Sequence, residues 1–114
     1  MTATVIYHNP KCSTSRKTLE LLRDNGIEPD VVQYLKTPPT RDELAGMIRA
    51  AGIDVRSAVR RRESLYAELD LAGASDDQLL DAMAEHPILI ERPFVVTPKG
   101  TRLARPVETV REIL

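Results

Sequence analysis

Cys12 is the only cysteine in the chain. It stands between a β-branched and aromatic run, Thr4-Val-Ile-Tyr7, and a segment of helical spacing that opens at Ser13. A side chain at a strand-to-helix junction meets free backbone N–H groups and the positive end of a helix dipole. Both favour the thiolate, which is the nucleophilic form, and cysteines in such places ionise well below the ordinary value of about 8.5. Lys11, Arg16 and Lys17, with His8, add positive charge on the flanks. Basic residues in a first helical turn run against the dipole, and a local rule broken without structural gain is a mark of function. The bland alternative makes Cys12 a small buried apolar residue with solvated basic neighbours. The junction favours the reactive cysteine.

A reactive Cys12 needs a partner from outside the chain. The segment reads Cys12-Ser-Thr-Ser15, not Cys-x-x-Cys, and no second cysteine exists to resolve a disulfide. The chain is therefore not a dithiol oxidoreductase. A redox cycle on one cysteine must be finished by a small-molecule thiol or by another protein. The same count excludes an internal disulfide and a multi-cysteine zinc site. With only His8 and His86 as histidines, no conventional metal site is expected.

Arginine supplies the second signal. Of the 16 basic side chains, 12 are Arg and 4 are Lys. A guanidinium presents a planar fork of donors suited to tetrahedral oxyanions. For most of the twelve a compositional bias is explanation enough. Arg92 precedes Pro93 at the mouth of a strand, and Arg105 precedes Pro106 at the end of another. Arg60 opens Arg60-Arg61-Arg62 at an expected helix end, where cations are favoured in any case, so a solvated terminus remains open for that run.

These residues have to be positioned by a small scaffold. At 114 residues and 42% apolar composition the chain is expected to form one domain, 1–114, with one modest core. A formal charge of −1 with both signs dispersed argues against a dedicated nucleic-acid binder. No apolar run is long enough to span a membrane, and the N-terminus shows no secretory leader, so a cytoplasmic address is expected. Thr4–Tyr7 reads as a strand. A helix follows with Ser13, Thr14 and Ser15 as N-cap hydroxyls, Leu19 and Leu22 on its apolar face and Gly26 at its end. Val31-Val-Gln-Tyr-Leu35 reads as a parallel second strand. Thr40-Arg-Asp-Glu43 and Ser75-Asp-Asp-Gln78 are capping boxes, and a short helical piece is expected from Asp54 to Arg61. Phe94-Val-Val96, a turn at Thr97–Gly100 and Thr101-Arg-Leu-Ala104 form a hairpin, and a last helix starts at Pro106 with Val107, Val110, Ile113 and Leu114 as its apolar face. The order is β-α-β, a helical insert at about 40–87, then β-β-α. That is an α/β, thioredoxin-like fold with a helical insertion between its βαβ and ββα halves, in which a cis-proline loop at Arg92-Pro93 would face the cysteine.

Four segments together resemble the glutaredoxin-coupled arsenate reductases: Ile6-Tyr-His-Asn-Pro-Lys-Cys-Ser-Thr-Ser-Arg16, Tyr34-Leu-Lys-Thr-Pro-Pro-Thr40, His86-Pro-Ile-Leu-Ile-Glu-Arg-Pro93 and Gly100-Thr-Arg-Leu-Ala-Arg-Pro106. The resemblance covers essentially the whole chain. Because the chain stops at Leu114, it is similar to the shorter branch of that family. The resemblance implies that Cys12 is the nucleophile that forms a thiol–arsenate adduct. It implies that Arg60, Arg92 and Arg105 hold the oxyanion, with His8 and Ser15 in supporting places. It implies glutathione as co-substrate and glutaredoxin as protein partner, with no bound cofactor or metal. The same superfamily holds regulators or adaptors that bind RNA polymerase, but those usually carry Cys-x-x-Cys and lack this arginine set. A thiol oxidoreductase acting on another oxyanion is the remaining alternative.

Overall fold

The structure, a computed structural model, describes residues 4–114; Met1–Ala3, part of the stretch read for a leader, lie outside them. The chain divides into two compact units, one of the residues up to Thr37 with Arg92–Leu114, the other Pro38–Glu91.

The first unit carries a four-stranded sheet in the order β2-β1-β3-β4. Its strands are β1 (Val5–His8), β2 (Asp30–Gln33), β3 (Phe94–Thr97) and β4 (Gly100–Leu103). β1 pairs parallel with β2 and antiparallel with β3, and β3 pairs antiparallel with β4. This is the expected thioredoxin-like sheet. Helix α1 (Ser13–Asp24) makes the crossover between β1 and β2. It ends in a Schellman motif: Gly26 N–H donates to Arg23 O and Ile27 N–H to Leu22 O, both at 3.0 Å. Gly26 takes φ +76°, where a Cβ would be strained, and the expected helix stop is met. Leu22 and Ile27 then share a core with Ile6, Val95, Ala104, Val110 and Ile113.

The start of α1 differs from expectation. Cys12 itself is the N-cap residue, with extended φ −94° and ψ 123°, and no serine or threonine hydroxyl caps the helix. The second strand runs Asp30–Gln33, so Tyr34 and Leu35 lie beyond it. The last helix is a 3-10 helix, Val107–Ile113, rather than an α-helix. Val110 and Ile113, three residues apart and so eclipsed in that tighter coil, are its buried pair, while Val107 is only half-buried and Leu114 follows the end.

The second unit is the helical insert. Both capping boxes form. Thr40 Oγ1 accepts from Glu43 N at the head of α2 (Arg41–Ala50), and Glu43 Oε1 accepts from Thr40 N. Ser75 and Gln78 repeat the exchange at α4 (Asp76–Glu85). Arg41 on α2 binds Asp77 and Asp81 on α4. The piece expected from Asp54 to Arg61 is one 3-10 turn, Arg56–Ala58, followed by an isolated antiparallel bridge between Val59 and Ile90. A short α3 (Ser64–Glu68) and a 3-10 turn Leu71–Gly73, neither expected, follow it.

Leu22 is fully buried in the first unit's core. Leu22→Ala should lower the unfolding free energy by about 2–5 kcal/mol, and an exposed control such as Arg62→Ala should change it by less than about 0.5 kcal/mol, both read from urea unfolding.

Candidate active site

The sheet register explains how distant residues meet at the head of α1. Phe94 pairs with Tyr7 in antiparallel sense, so the residues preceding β3 run alongside the end of β1. Arg92 is therefore carried to the loop that leads from His8 to Cys12. The Arg92–Pro93 and Arg105–Pro106 peptides are both cis. On the other side Gln33 pairs in parallel with His8, which places Tyr34 beside Asn9.

The loop is fastened to the helix that follows it. Cys12 N–H donates to Asn9 O at 3.0 Å, and Lys11 N–H to Asn9 Oδ1 at 2.9 Å. Ser15, fully buried, accepts Asn9 N–H at 3.0 Å and lies 2.6 Å from His8 Nδ1. In the tautomer with Nδ1 unprotonated, the serine hydroxyl donates to Nδ1 while its oxygen accepts from Asn9, which satisfies all three groups. Burial, then the positive charges of Arg23 and Arg16, hold the His8 imidazole below its ordinary value. His8 is accordingly neutral at pH 7 and adds no positive charge beside Cys12, contrary to the sequence expectation. His8 and Ser15 shape the loop.

Burial alone would push the Cys12 thiol up. The Ser15 backbone amide, the Arg92 guanidinium and the Thr14 amide outweigh it and bring the thiol below its ordinary value. The sulfur closes no capping hydrogen bond of ordinary geometry, but it occupies the capping position and the first-turn amides address it. The cationic partner is thus Arg92, from the far end of the chain, and not the sequence neighbours. Lys11, Arg16 and Lys17 are exposed, and Arg16 donates to Pro10 O at 2.8 Å.

Arg92 is only 8% exposed. Burial works against its charge, and interaction with the Cys12 thiol and the Tyr34 hydroxyl restores it. Its Nε and Nη1 are nonetheless buried without a hydrogen-bond partner among the described residues. Buried donors of this kind are costly and rare unless something else satisfies them. Arg105 lies at the start of the last 3-10 helix, in a shallow cleft with Thr14 and Lys17 of the first turns of α1. Arg92 thus acts on the sulfur itself, while Arg105 borders a cleft with the first turns of the helix that Cys12 caps.

Arg60 belongs to the helical unit. Its Nε donates to Glu63 Oε2 at 3.3 Å, and its Nη1 stands 3.6 Å from Glu91 Oε1. Its backbone N–H donates to Leu89 O at 2.7 Å beside the Val59–Ile90 bridge. Arg60 is two-carboxylate-bound and four-fifths buried, whereas Arg61 and Arg62 are exposed. It is not the solvated helix terminus that the triple-arginine run left open.

Comparison with known proteins identifies the family. The ArsC family model matches residues 7–113. The chain belongs to the ArsC family. It is 61% identical to an arsenate reductase of Rhizobium meliloti (strain 1021) and 56% identical to one of Escherichia coli (strain K12), in each case over all of this chain and 82% of the relative. It superposes on an arsenate reductase from Vibrio cholerae with a TM-score of 0.93 and 52% identity, covering 98% of both chains. The thioredoxin-like frame and the arsenate-reductase resemblance read from the sequence agree with these relatives. Tyr34 and Asn9 are the site's additions that sequence reasoning passed over: Tyr34 reads as a strand residue until the register of β2 is known.

No group of three or more histidine, cysteine or acidic side chains among the described residues is arranged to hold a metal ion, and no helix among them is long and apolar enough to cross a membrane.

The thiol's ionisation should follow Arg92. Cys12 alkylation against pH should show a midpoint below about 8.5. Arg92→Ala removes a favourable positive charge and should move that midpoint upward, while Lys11→Ala should leave it nearly unchanged. A wild-type midpoint at the free-thiol value would contradict the site's electrostatics.

Proposed function

We propose that this ArsC-family protein reduces arsenate to arsenite, with Cys12 as nucleophile and a thiol from outside the chain as reductant. The observation that carries the reading is the Arg92 guanidinium: it stabilises the Cys12 thiolate and presents buried donors beside it that an oxyanion would satisfy. The names of the relatives supply the oxyanion's identity.

The Cys12 thiolate attacks arsenic(V), an As–S bond forms, and one arsenate oxygen leaves as water with two protons. Glutathione then supplies the second thiol. Its sulfur and that of Cys12 join in a mixed disulfide, and the As–S electron pair stays on arsenic, which leaves as arsenite, arsenic(III). The two thiols thus provide both electrons. Glutaredoxin attacks the mixed disulfide, takes the glutathione and returns the Cys12 thiol. A chain with one cysteine requires an outside thiol at this step. In this reading residues 1–114 work as one domain in which the helical unit is an insert. Arg92 and Arg105 hold the oxyanion. The sequence resemblance assigns Arg60 to the same anion.

Purified protein should form arsenite from arsenate with glutathione and glutaredoxin together, much less with glutathione alone, and none with thioredoxin. Cys12→Ser should abolish the reaction and keep the fold, because an alkoxide is not accessible at neutral pH. Replacing Arg92, Arg105 or Arg60 by Ala should cost about 1.5–3 kcal/mol in kcat/KM, roughly ten- to a hundredfold. Lysine keeps the charge but loses the fork, so Arg→Lys should not be silent either. Arg61→Ala and Arg62→Ala are the controls. Equal sensitivity at all five arginines would refute the assigned set, and a stoichiometric complex with RNA polymerase from cell extract would favour the adaptor class instead.

A further inference from the structure

Tyr34 has no part in the chemistry described so far, yet its side chain is placed for one. It is 1% exposed, among the largest fully buried side chains of the protein. The β1–β2 register sets it beside Asn9, at the head of the loop that ends in Cys12. Its hydroxyl interacts with the Asn9 amide, the Arg92 guanidinium and Cys12. Arg92 can only donate. The Asn9 contact favours the phenolate, as a donor's does, so Asn9 offers its amide hydrogens to the phenol oxygen while Oδ1 accepts the Lys11 N–H. Both neighbours thus address the oxygen's lone pairs, and neither takes its proton. The hydroxyl is buried with no hydrogen bond closed among the described residues. Phenylalanine would fill the same space without that cost.

The negative charge felt at the hydroxyl is that of Cys12, whose loop begins at Asn9 beside Tyr34. Burial raises the phenol above its ordinary value, with Arg92 opposing, so it remains a protonated donor at neutral pH. We infer that Tyr34 is a substrate-contacting residue whose hydroxyl donates a hydrogen bond to an oxygen of the tetrahedral oxyanion held at Cys12, alongside Nε and Nη1 of Arg92. The inference rests on the proposed oxyanion site and deepens it. The anion meets a neutral phenol donor as well as positive charge, and a hydroxyl proton with no acceptor among the described residues gains one in the ligand. Retention of a costly polar atom in a buried position is then explained by binding rather than by stability.

The test is protection of Cys12 from iodoacetamide by arsenate, titrated on the full chain. Wild-type protein should be protected saturably. Tyr34→Phe should need about tenfold more arsenate, the loss expected for one hydrogen bond to a charged group. Its thiol midpoint should stay at the wild-type value, because Arg92 and the helix amides are intact, and its thermal midpoint should be equal or higher. Tyr66→Phe is the contrasting variant. The Tyr66 hydroxyl accepts from Arg56 Nη1 at 3.0 Å, so its loss should lower the thermal midpoint and leave arsenate protection unchanged. Equal protection in Tyr34→Phe and wild type would overturn the inference. So would weaker protection accompanied by a lower thermal midpoint, which would make the hydroxyl structural, or absence of protection in the wild type. Protection without arsenite formation would overturn the reductase reading and leave the donor assignment standing.

Discussion

The interaction on which the site depends is that between the Arg92 guanidinium and the Cys12 thiol. Each is expensive without the other. A guanidinium at 8% exposure needs an anion, and a partly buried thiolate needs more than a helix end to outweigh its desolvation. The Ser15 and Thr14 amides supply part of that compensation, and Arg92 supplies the rest. Other features of the first unit serve to bring these two side chains to one place and keep them there.

The sheet does the first part. β1 lies between β2 and β3, so the chain leaving β1 is flanked on one side by Tyr34 and on the other by Arg92. The loop does the second. Asn9 and Ser15 tie backbone to side chain over a few residues, and His8, held neutral, closes the set. The Schellman turn at Gly26 then fixes the far end of α1 against the core, so that the near end has little freedom to drift. The Ser15 hydroxyl can therefore matter to the chemistry by holding the loop, while its backbone amide addresses the sulfur directly.

What was legible in the sequence follows from how local the cause is. The capping boxes at Thr40 and Ser75, the helix stop at Gly26 and the strand periodicity around Ile6 and Val95 are written in neighbouring residues, and the structure keeps them. The start of α1 was misread because Ser13, Thr14 and Ser15 are all good N-cap types, and composition does not say that Ser15 is committed to His8 and Asn9. The terminal helix was misjudged because Val107, Val110 and Ile113 fit a spacing of three as well as of three and a half; the 3-10 coil follows the former. At the site, Cys12 announced itself by its position alone. The charge that tunes it did not, since Lys11, Arg16 and Lys17 are adjacent in sequence and turned outward, while Arg92 is adjacent only once the strands pair. The value of Arg92 was legible through its proline and its family resemblance, whereas Tyr34, though it opens one of the resembling segments, carried no role there.

The same guanidinium can serve successive states of the proposed reaction because the charge it faces moves only a short way. Before the oxyanion reacts, the negative charge near Arg92 is on sulfur. Once sulfur bonds to arsenic, it becomes a neutral thioether-like atom, and the charge resides on the oxygens attached through it. A donor set aimed only at sulfur would then oppose the step, because it would favour the free thiolate over the adduct. Arg92 avoids this by geometry: some of its donors remain unengaged while it stabilises the thiolate. Charge lost from sulfur can be met by the unengaged Nε and Nη1 donors without moving the side chain, which costs no reorganisation at the moment of reaction. Lysine, a single point of charge with rotating protons, could stabilise either state but has no second fixed edge to hold in reserve.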